Sequence, residues 1–258
     1  MEFFQKIVST LEHSIWSFGP RIAGESIPIL VIALLGTGFF LSLRFGFLQF
    51  RHLAHGFAVA SGKYDDPNEP GDVPHFQALT TALSATVGIG NIAGVAIAIH
   101  FGGPGALFWM WVTALLGMVT KYTEVTLAQR YRRVEVTDPG GQGRYGTVSG
   151  GPMYYIERGL GARWKPLAVF FACALILTSF LTGNGIQANT VADLLSSEFS
   201  TPVWVTGLIT STVLFLVIVG GITRIGAVTS VLAPLMAAIY VLAAVAILTF
   251  NYDRVIPT

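Results

Sequence analysis

The sequence predicts an all-α polytopic membrane protein of about six transmembrane helices, the second of them broken at the membrane midplane. Two observations set the class. Of 258 residues, 53% are hydrophobic and only 11% charged, against about 25% charged in soluble domains. The apolar residues also collect in windows long enough to cross a hydrocarbon core, which takes roughly 20 residues of helix. These windows run over about 26 to 43, 77 to 99, 105 to 127, 166 to 190, 203 to 220 and 226 to 249. A third observation sets the break: TALSATVGIGNIAG, residues 81 to 94, places three glycines, three hydroxyl residues and an asparagine inside the second window. A β-barrel is excluded, since the runs are too long and lack the alternating apolar and polar period of barrel strands.

Residues 1 to 20 precede the first window. There Phe4, Ile7, Val8, Leu11 and Ile15 recur at helical spacing opposite Gln5, Lys6 and Glu12, a pattern suited to a helix lying in the membrane interface. A packed core helix would show the same spacing. The span at 26 to 43 reads as retained rather than cleaved, because Glu2, Glu12 and Glu25 precede it and Arg44 and Arg51 follow as a stop-transfer pattern.

Between the first and second spans, SGKYDDPNEPGDVPH, residues 61 to 75, is rich in Pro, Gly and Asp and reads as an irregular connection. The loop from 130 to 165 is longer and glycine-rich. Within it GGPMYYIERGLG has a glycine-proline start, an aromatic middle and a glycine stop, which fits a short interfacial helix or a soluble loop.

With the N-terminus outside, six spans place Arg44, Arg51, Lys63, Arg130, Arg132, Arg133, Arg144, Arg158, Arg163, Lys165 and Arg224 on the cytoplasmic side. Only Lys6, Arg21 and Arg254 fall outside. That asymmetry follows the positive-inside rule and assigns a multi-pass protein of the cytoplasmic membrane. Lys121 lies near the cytoplasmic end of the third span, three residues from Glu124, so a structural ion pair and a proton relay both fit that spacing. The aromatic run Phe108, Trp109 and Trp111 follows a Gly-Gly-Pro-Gly turn where indole rings anchor at the interface. His100 adjoins that turn as an interfacial hydrogen-bonder or a pH-sensitive group. The single cysteine, Cys173, falls within a span and reads as packing; one thiol builds neither a disulfide framework nor a metal cage.

Glycine in a helix interior costs about 1 kcal/mol relative to alanine, and Gly88, Gly90 and Gly94 alternate with β-branched Thr86, Val87 and Ile89. Gly90 and Gly94 carry small-xxx-small spacing, so close helix packing is one reading. Against it stand Gly88, off that face, and Asn91, an amide at membrane depth that needs partners. The other reading is unwinding over Thr86 to Gly90. Backbone carbonyls and the Asn91 oxygen then make a hard cage for a monovalent cation, and the N–H groups of Ile89 and Gly90 open a half-helix that attracts a carboxylate. Secondary transporters use broken helices in this way.

Residues 102 to 117, GGPGALFWMWVTALLG, resemble the signature of the sodium:alanine (alanine or glycine:cation) symporter family. ALTTALSATVGIGNIAGVA before it and GGPMYYIERGLG after it are similar to that family too. The resemblance is strong over most of 71 to 190 and looser elsewhere. It implies sodium as coupling ion, alanine or glycine as substrate, no other cofactor and no nucleic acid. It also implies the wider five-plus-five inverted-repeat fold, whose first core helix would be the second span here. On that resemblance the carbonyls of Ser84 and Val87 serve one sodium, and the Thr86 carbonyl with the Asn91 amide oxygen a second. The substrate carboxylate meets the N–H groups of Ile89 and Gly90, and its ammonium the Thr86 carbonyl. In TGNGIQANT, residues 182 to 190, Asn184 and Gln187 sit at i,i+3 in the helix that lines the pocket, with Gln187 the direct contact. Bonding across helices is the other reading of that pair.

Residues 1 to 258 are thus expected to form one transmembrane domain: an interfacial helix at 1 to 20, a peripheral span at 26 to 43 and the first five-helix repeat at 77 to 250. A second repeat is not found in these residues, so the chain is expected to be the N-terminal half of a symporter, truncated at its C-terminus. The alternative is a non-transporting membrane helix scaffold or assembly subunit, in which glycines and amides serve packing. An enzyme is not expected, since no Ser/His, His/Glu or paired-Asp constellation lies at membrane depth.

Overall fold

The computed structural model describes residues 2–22, 25–66, 71, 73–136 and 145–252. Arg144 and Arg254 of the charge pattern lie outside the described residues, as do parts of the loops at 61 to 75 and 130 to 165 and the side chains of Phe4, Gln5 and Ile7. The chain is predominantly helical and divides into two compact units, Met1–Ala54 with Gly102–Leu127 and His55–Phe101 with Ala128–Thr258.

The first unit opens with α1 (Glu2–Ser17), then a two-residue antiparallel pair, β1 (Arg21–Ile22) and β2 (Glu25–Ser26), then α2 (Ile29–Arg44) and the single turn α3 (Leu48–Arg51). Val8, Leu11 and Ile15 of α1 stay exposed, leaving the apolar stripe free for an interface. Pro28 caps the start of α2 with extended ψ 133°, where a missing N–H costs nothing. α2 packs on the later part of α6 (Ala93–Arg130), whose backbone leaves helical geometry at Gly103 (φ 58°, ψ −156°) just before Pro104. The Gly-Gly-Pro-Gly turn of the sequence is therefore a break at a single residue. A Cβ at Gly38 would lie 2.9 Å from Leu116 Cβ and 3.2 Å from the Leu116 carbonyl oxygen, so glycine is what lets these helices approach. Ser42 and Val119 are fully buried there, and Phe45 meets Tyr122 edge-on at 6.3 Å. Lys121 Nζ and Glu124 Oε2 are 2.9 Å apart, the ion pair their spacing predicts.

The second unit holds most of α4 (Leu53–Ala60), then α5 (His75–Thr86), a 3-10 turn at Ile89–Asn91 and the first turns of α6. Next come β3 (Arg133–Val136) and β4 (Tyr145–Ser149), α7 (Pro152–Leu160) and α8 (Lys165–Thr178). A π segment at Ser179–Asn184 leads into α9 (Gly185–Phe199), α10 (Val203–Ile218) and α11 (Gly221–Phe250). Pro74 and Pro202 precede α5 and α10 as Pro28 precedes α2, and Ser200 ends α9 in the left-handed region at φ 54°. The aromatic segment of the long loop is α7, the helical one of the two readings its composition allows. The antiparallel β3–β4 hairpin beside it, with Arg133 opposite Ser149, was not expected from a glycine-rich loop. Arg158 of α7 donates to the Arg132 carbonyl at 3.1 Å, and Gly159 lies against the Tyr131 ring.

α5 packs along α11. The contact is made by small and hydroxyl residues: a Cβ at Gly226 would stand 3.0 Å from Gln77 Oε1, Thr81 and Thr229 hydroxyls are 2.9 Å apart, and Thr80 and Ala233 are buried. This is membrane-type packing, in which close backbone approach and interhelical hydrogen bonds replace large interlocking apolar groups.

Each of the six apolar windows falls mainly on helix, the first beginning in β2 and the second interrupted at Val87 and Gly88. Among the described residues two stretches suffice by length and composition to cross a membrane, Ile89–Arg130 and Gly221–Phe250, while Ile29–Arg44 and Val203–Ile218 are shorter apolar helices. Among the described residues the buried apolar core is Val119, Ala168, Ala192 and Ala233, whereas Phe170, Phe215 and Leu242 are 70%, 66% and 67% exposed. Contiguous apolar surface on that scale suits lipid or further protein rather than water. Cys173, read from the sequence as packing, is exposed.

Candidate functional site

α5 ends at Thr86 and regular helix resumes at Ala93. The intervening path is extended at Val87 (φ −82°, ψ 109°) and Gly88 (φ −143°, ψ −168°), then tightens into the 3-10 turn Ile89–Asn91. The sequence places the break at Thr86 to Gly90; the structure has it at Val87 to Ile92, two residues later at its end. Thr86 keeps helical geometry and its hydroxyl donates to the Ala82 carbonyl at 2.7 Å. Asn91 lies in the tight turn rather than at the head of the second half-helix.

The consequence for backbone groups is specific. Val87 N–H still reaches the Leu83 carbonyl at 2.7 Å, and Asn91 N–H reaches Gly88 at 3.0 Å. Among the described residues no backbone N–H closes on the carbonyls of Ser84, Ala85 or Thr86, which would be the i to i−4 partners of Gly88, Ile89 and Gly90. Carbonyl oxygens cost free energy when desolvated without a partner, so a cluster of them on one turn suits a cation.

Ile89 N–H has found a partner elsewhere: it donates to Gln187 Oε1 at 3.1 Å. Gly88 permits this. A Cβ there would lie 2.5 Å from Gln187 Nε2, so any side chain at 88 pushes the amide off. The packing roles read from the glycine spacing are thereby exchanged. Gly90 and Gly94 have open space where a Cβ would stand, and Gly88, off the packing face by spacing, is the one under contact.

Gln187 stands three residues beyond the π segment Ser179–Asn184. A π turn inserts one residue into a helix, rotating everything after it by about 100°, and such turns recur at functional sites. Sequence reasoning took TGNGIQANT as a continuous helix and missed this; Gly183 and Gly185 flanking Asn184 were the available signal. The structure thus brings Gly88, Ile89 and Gln187 together. Ser84 is half-buried on the last turn of α5, while Asn91 and Asn184 are exposed and lie outside the Ile89–Gln187 contact. Among the described residues no group of three or more His, Cys, Asp or Glu could hold a metal ion, so a cation here would rest on neutral oxygens.

Residues 1–258 match the sodium:alanine symporter family. The chain is 43% identical over 256 residues to the sodium/alanine symporter AgcS of Methanococcus maripaludis, covering 98% of this chain and 52% of that protein. It is 36% identical over 249 residues to the amino-acid carrier protein AlsT of Bacillus subtilis, covering 96% and 48%. With the probable sodium/glutamine symporter GlnT of the same organism it shares 34% over 240 residues, covering 93% and 46%. The chain spans about half the length of the curated relatives it matches. The chain belongs to the sodium:alanine symporter family, a family of integral membrane transporters.

Proposed function

We propose that these residues carry the first five-helix repeat, with its preceding peripheral span, of a sodium-coupled symporter for a small neutral amino acid, alanine or glycine. The observation that carries the reading is the interrupted helix at Val87 to Ile92, where unclosed carbonyls stand beside an N–H that has turned to a side chain. Sodium takes the carbonyls of Ser84 and Val87, and a second ion the Thr86 carbonyl with the Asn91 amide. The substrate carboxylate takes the N–H groups of Ile89 and Gly90, its ammonium the Thr86 carbonyl, and Gln187 and Asn184 line the pocket. Relatives named for alanine and for glutamine support an amino acid as cargo; the small size expected here comes from the sequence resemblance. The half-length coverage supports placing the remaining wall of the pocket in a second repeat of inverted topology, and the charge asymmetry supports six spans with the N-terminus outside the cytoplasmic membrane.

Coupling follows from the shared turn. Sodium on the carbonyls fixes the backbone whose next N–H groups hold the carboxylate, so each ligand raises affinity for the other. Binding of labelled alanine by the full-length protein, measured with and without sodium, tests this. Binding that rises with sodium is the expected result, and binding indifferent to sodium refutes the coupling.

A further inference from the structure

Gln187 meets Ile89 in a way that bears on how a ligand enters. Its Oε1 accepts from Ile89 N–H at 3.1 Å, which is one hydrogen bond of the kind a carboxylate oxygen would make at that N–H. Its Nε2 lies against Gly88, 2.5 Å from where a Cβ would be. The amide is thus seated on the turn by both ends. An N–H group has one proton to donate and a carboxylate arriving at Ile89 requires that same proton. The two acceptors exclude each other.

Resting on the site reading above, we propose that Gln187 is a built-in competitor for the substrate carboxylate. Its amide oxygen holds the Ile89 N–H and must leave for the ligand to bind. The side chain carries no charge and its bond is exposed, so it yields to an ionised carboxylate, whose hydrogen bonds are roughly twice as strong as neutral ones. Departure needs only side-chain rotation in α9. The competitor sets a threshold: ligands without a carboxylate gain nothing that offsets the lost Ile89–Gln187 bond, so selection for carboxylate-bearing cargo is sharpened. Gly88 has a part in this, because only a residue without Cβ leaves room for the amide.

A neutral hydrogen bond of this kind lowers the fraction of binding-competent sites by about two- to tenfold. Removing the acceptor therefore tightens apparent binding by that factor, the opposite of what losing a substrate contact would do. Gln187→Ala and Gln187→Met both remove it, methionine keeping the length and flexibility of the side chain. The test is equilibrium binding of labelled alanine in sodium to the full-length wild type and both variants, with amide hydrogen exchange over residues 87 to 92 measured without alanine. Expected are two- to tenfold tighter binding in either folded variant and faster exchange at Ile89. Binding that is unchanged or weaker in the variants, or exchange that does not move, overturns the competitor role while the wild type's sodium-dependent binding keeps the site reading standing. A wild type that binds no alanine in sodium overturns both.

Discussion

The Ile89 N–H donates to Gln187 Oε1 at 3.1 Å across 98 positions of sequence, and it does so over a glycine whose Cβ position is 2.5 Å from the same amide. Gly88 lies in extended backbone that alanine adopts without strain (φ −143°, ψ −168°), so Gly88→Ala acts through the clash alone. The clash is with the far end of a flexible side chain, which swings away. Gly88→Ala should keep stability within about 1 kcal/mol of wild type while exchange of the Ile89 amide accelerates by about tenfold or less. Gly90→Ala, facing open space, should change neither. Thermal melting in detergent and local hydrogen exchange read the two effects separately.

Asn91 separates the transport reading from a packing role. It is exposed on the 3-10 turn and Gly90 beside it has open space at its Cβ position, so truncating its amide should leave packing intact. Asn91→Ala is expected to fold and express like wild type and to raise the sodium concentration for half-maximal alanine binding by about fivefold or more, the lower end of ordinary coupling free energies. Loss of expression with sodium dependence retained would assign Asn91 to the scaffold instead.

In the first unit Gly38 and Gly36 differ by two residues and have opposite surroundings. A Cβ at 38 meets Leu116 at 2.9 Å and its backbone carbonyl at 3.2 Å, whereas none of the neighbouring heavy atoms lies within 4 Å at 36. A backbone group cannot swing aside, so Gly38→Ala forces α2 away from α6 and should cost about 1–3 kcal/mol. Gly36→Ala should be neutral or slightly stabilising, since alanine is the better helix former. Melting temperatures of the two variants check the contrast.

Much of this was legible in the sequence because lipid imposes simple rules. Apolar length marked the stretches between Ile29 and Phe250 that are mainly helical, and three glycines with β-branched neighbours gave the interruption after Thr86. What escaped was set by tertiary contacts. Gly90 and Gly94 have the spacing of a packing pair, yet Gly88 is the residue under contact, because Gln187 approaches from α9 and spacing along one helix cannot show what faces it. The π segment at Ser179–Asn184 leaves apolar composition unchanged, and the β3–β4 hairpin pairs residues across a loop too glycine-rich to show a strand period. Gln187 itself was singled out by resemblance as a substrate contact; its bond to Ile89 was not, since a side chain filling a ligand's place leaves no signature in composition.

Asp65 and His75 bracket the connection into α5. The Asp65 carboxylate accepts from the His75 backbone N–H at 3.3 Å and pairs with the His75 ring Nδ1. The hydrogen bond from the His75 side chain is the main cause holding the Asp65 carboxyl below its ordinary value, opposed by desolvation and aided by the His75 backbone N–H and charge. A carboxyl whose folded pKa is depressed adds stability that is present above the unfolded value, about 3.9, and is lost as pH falls through the folded one. Asp65 is exposed, so the contribution is small and screened by salt. The wild type should therefore melt slightly higher than Asp65→Asn near neutral pH in low salt, and the gap should close as pH drops below about 4. His75→Ala should remove the gap at every pH, because it takes away the partner that depresses the carboxyl. A gap that widens on acidification would show that Asp65 is held by something other than His75.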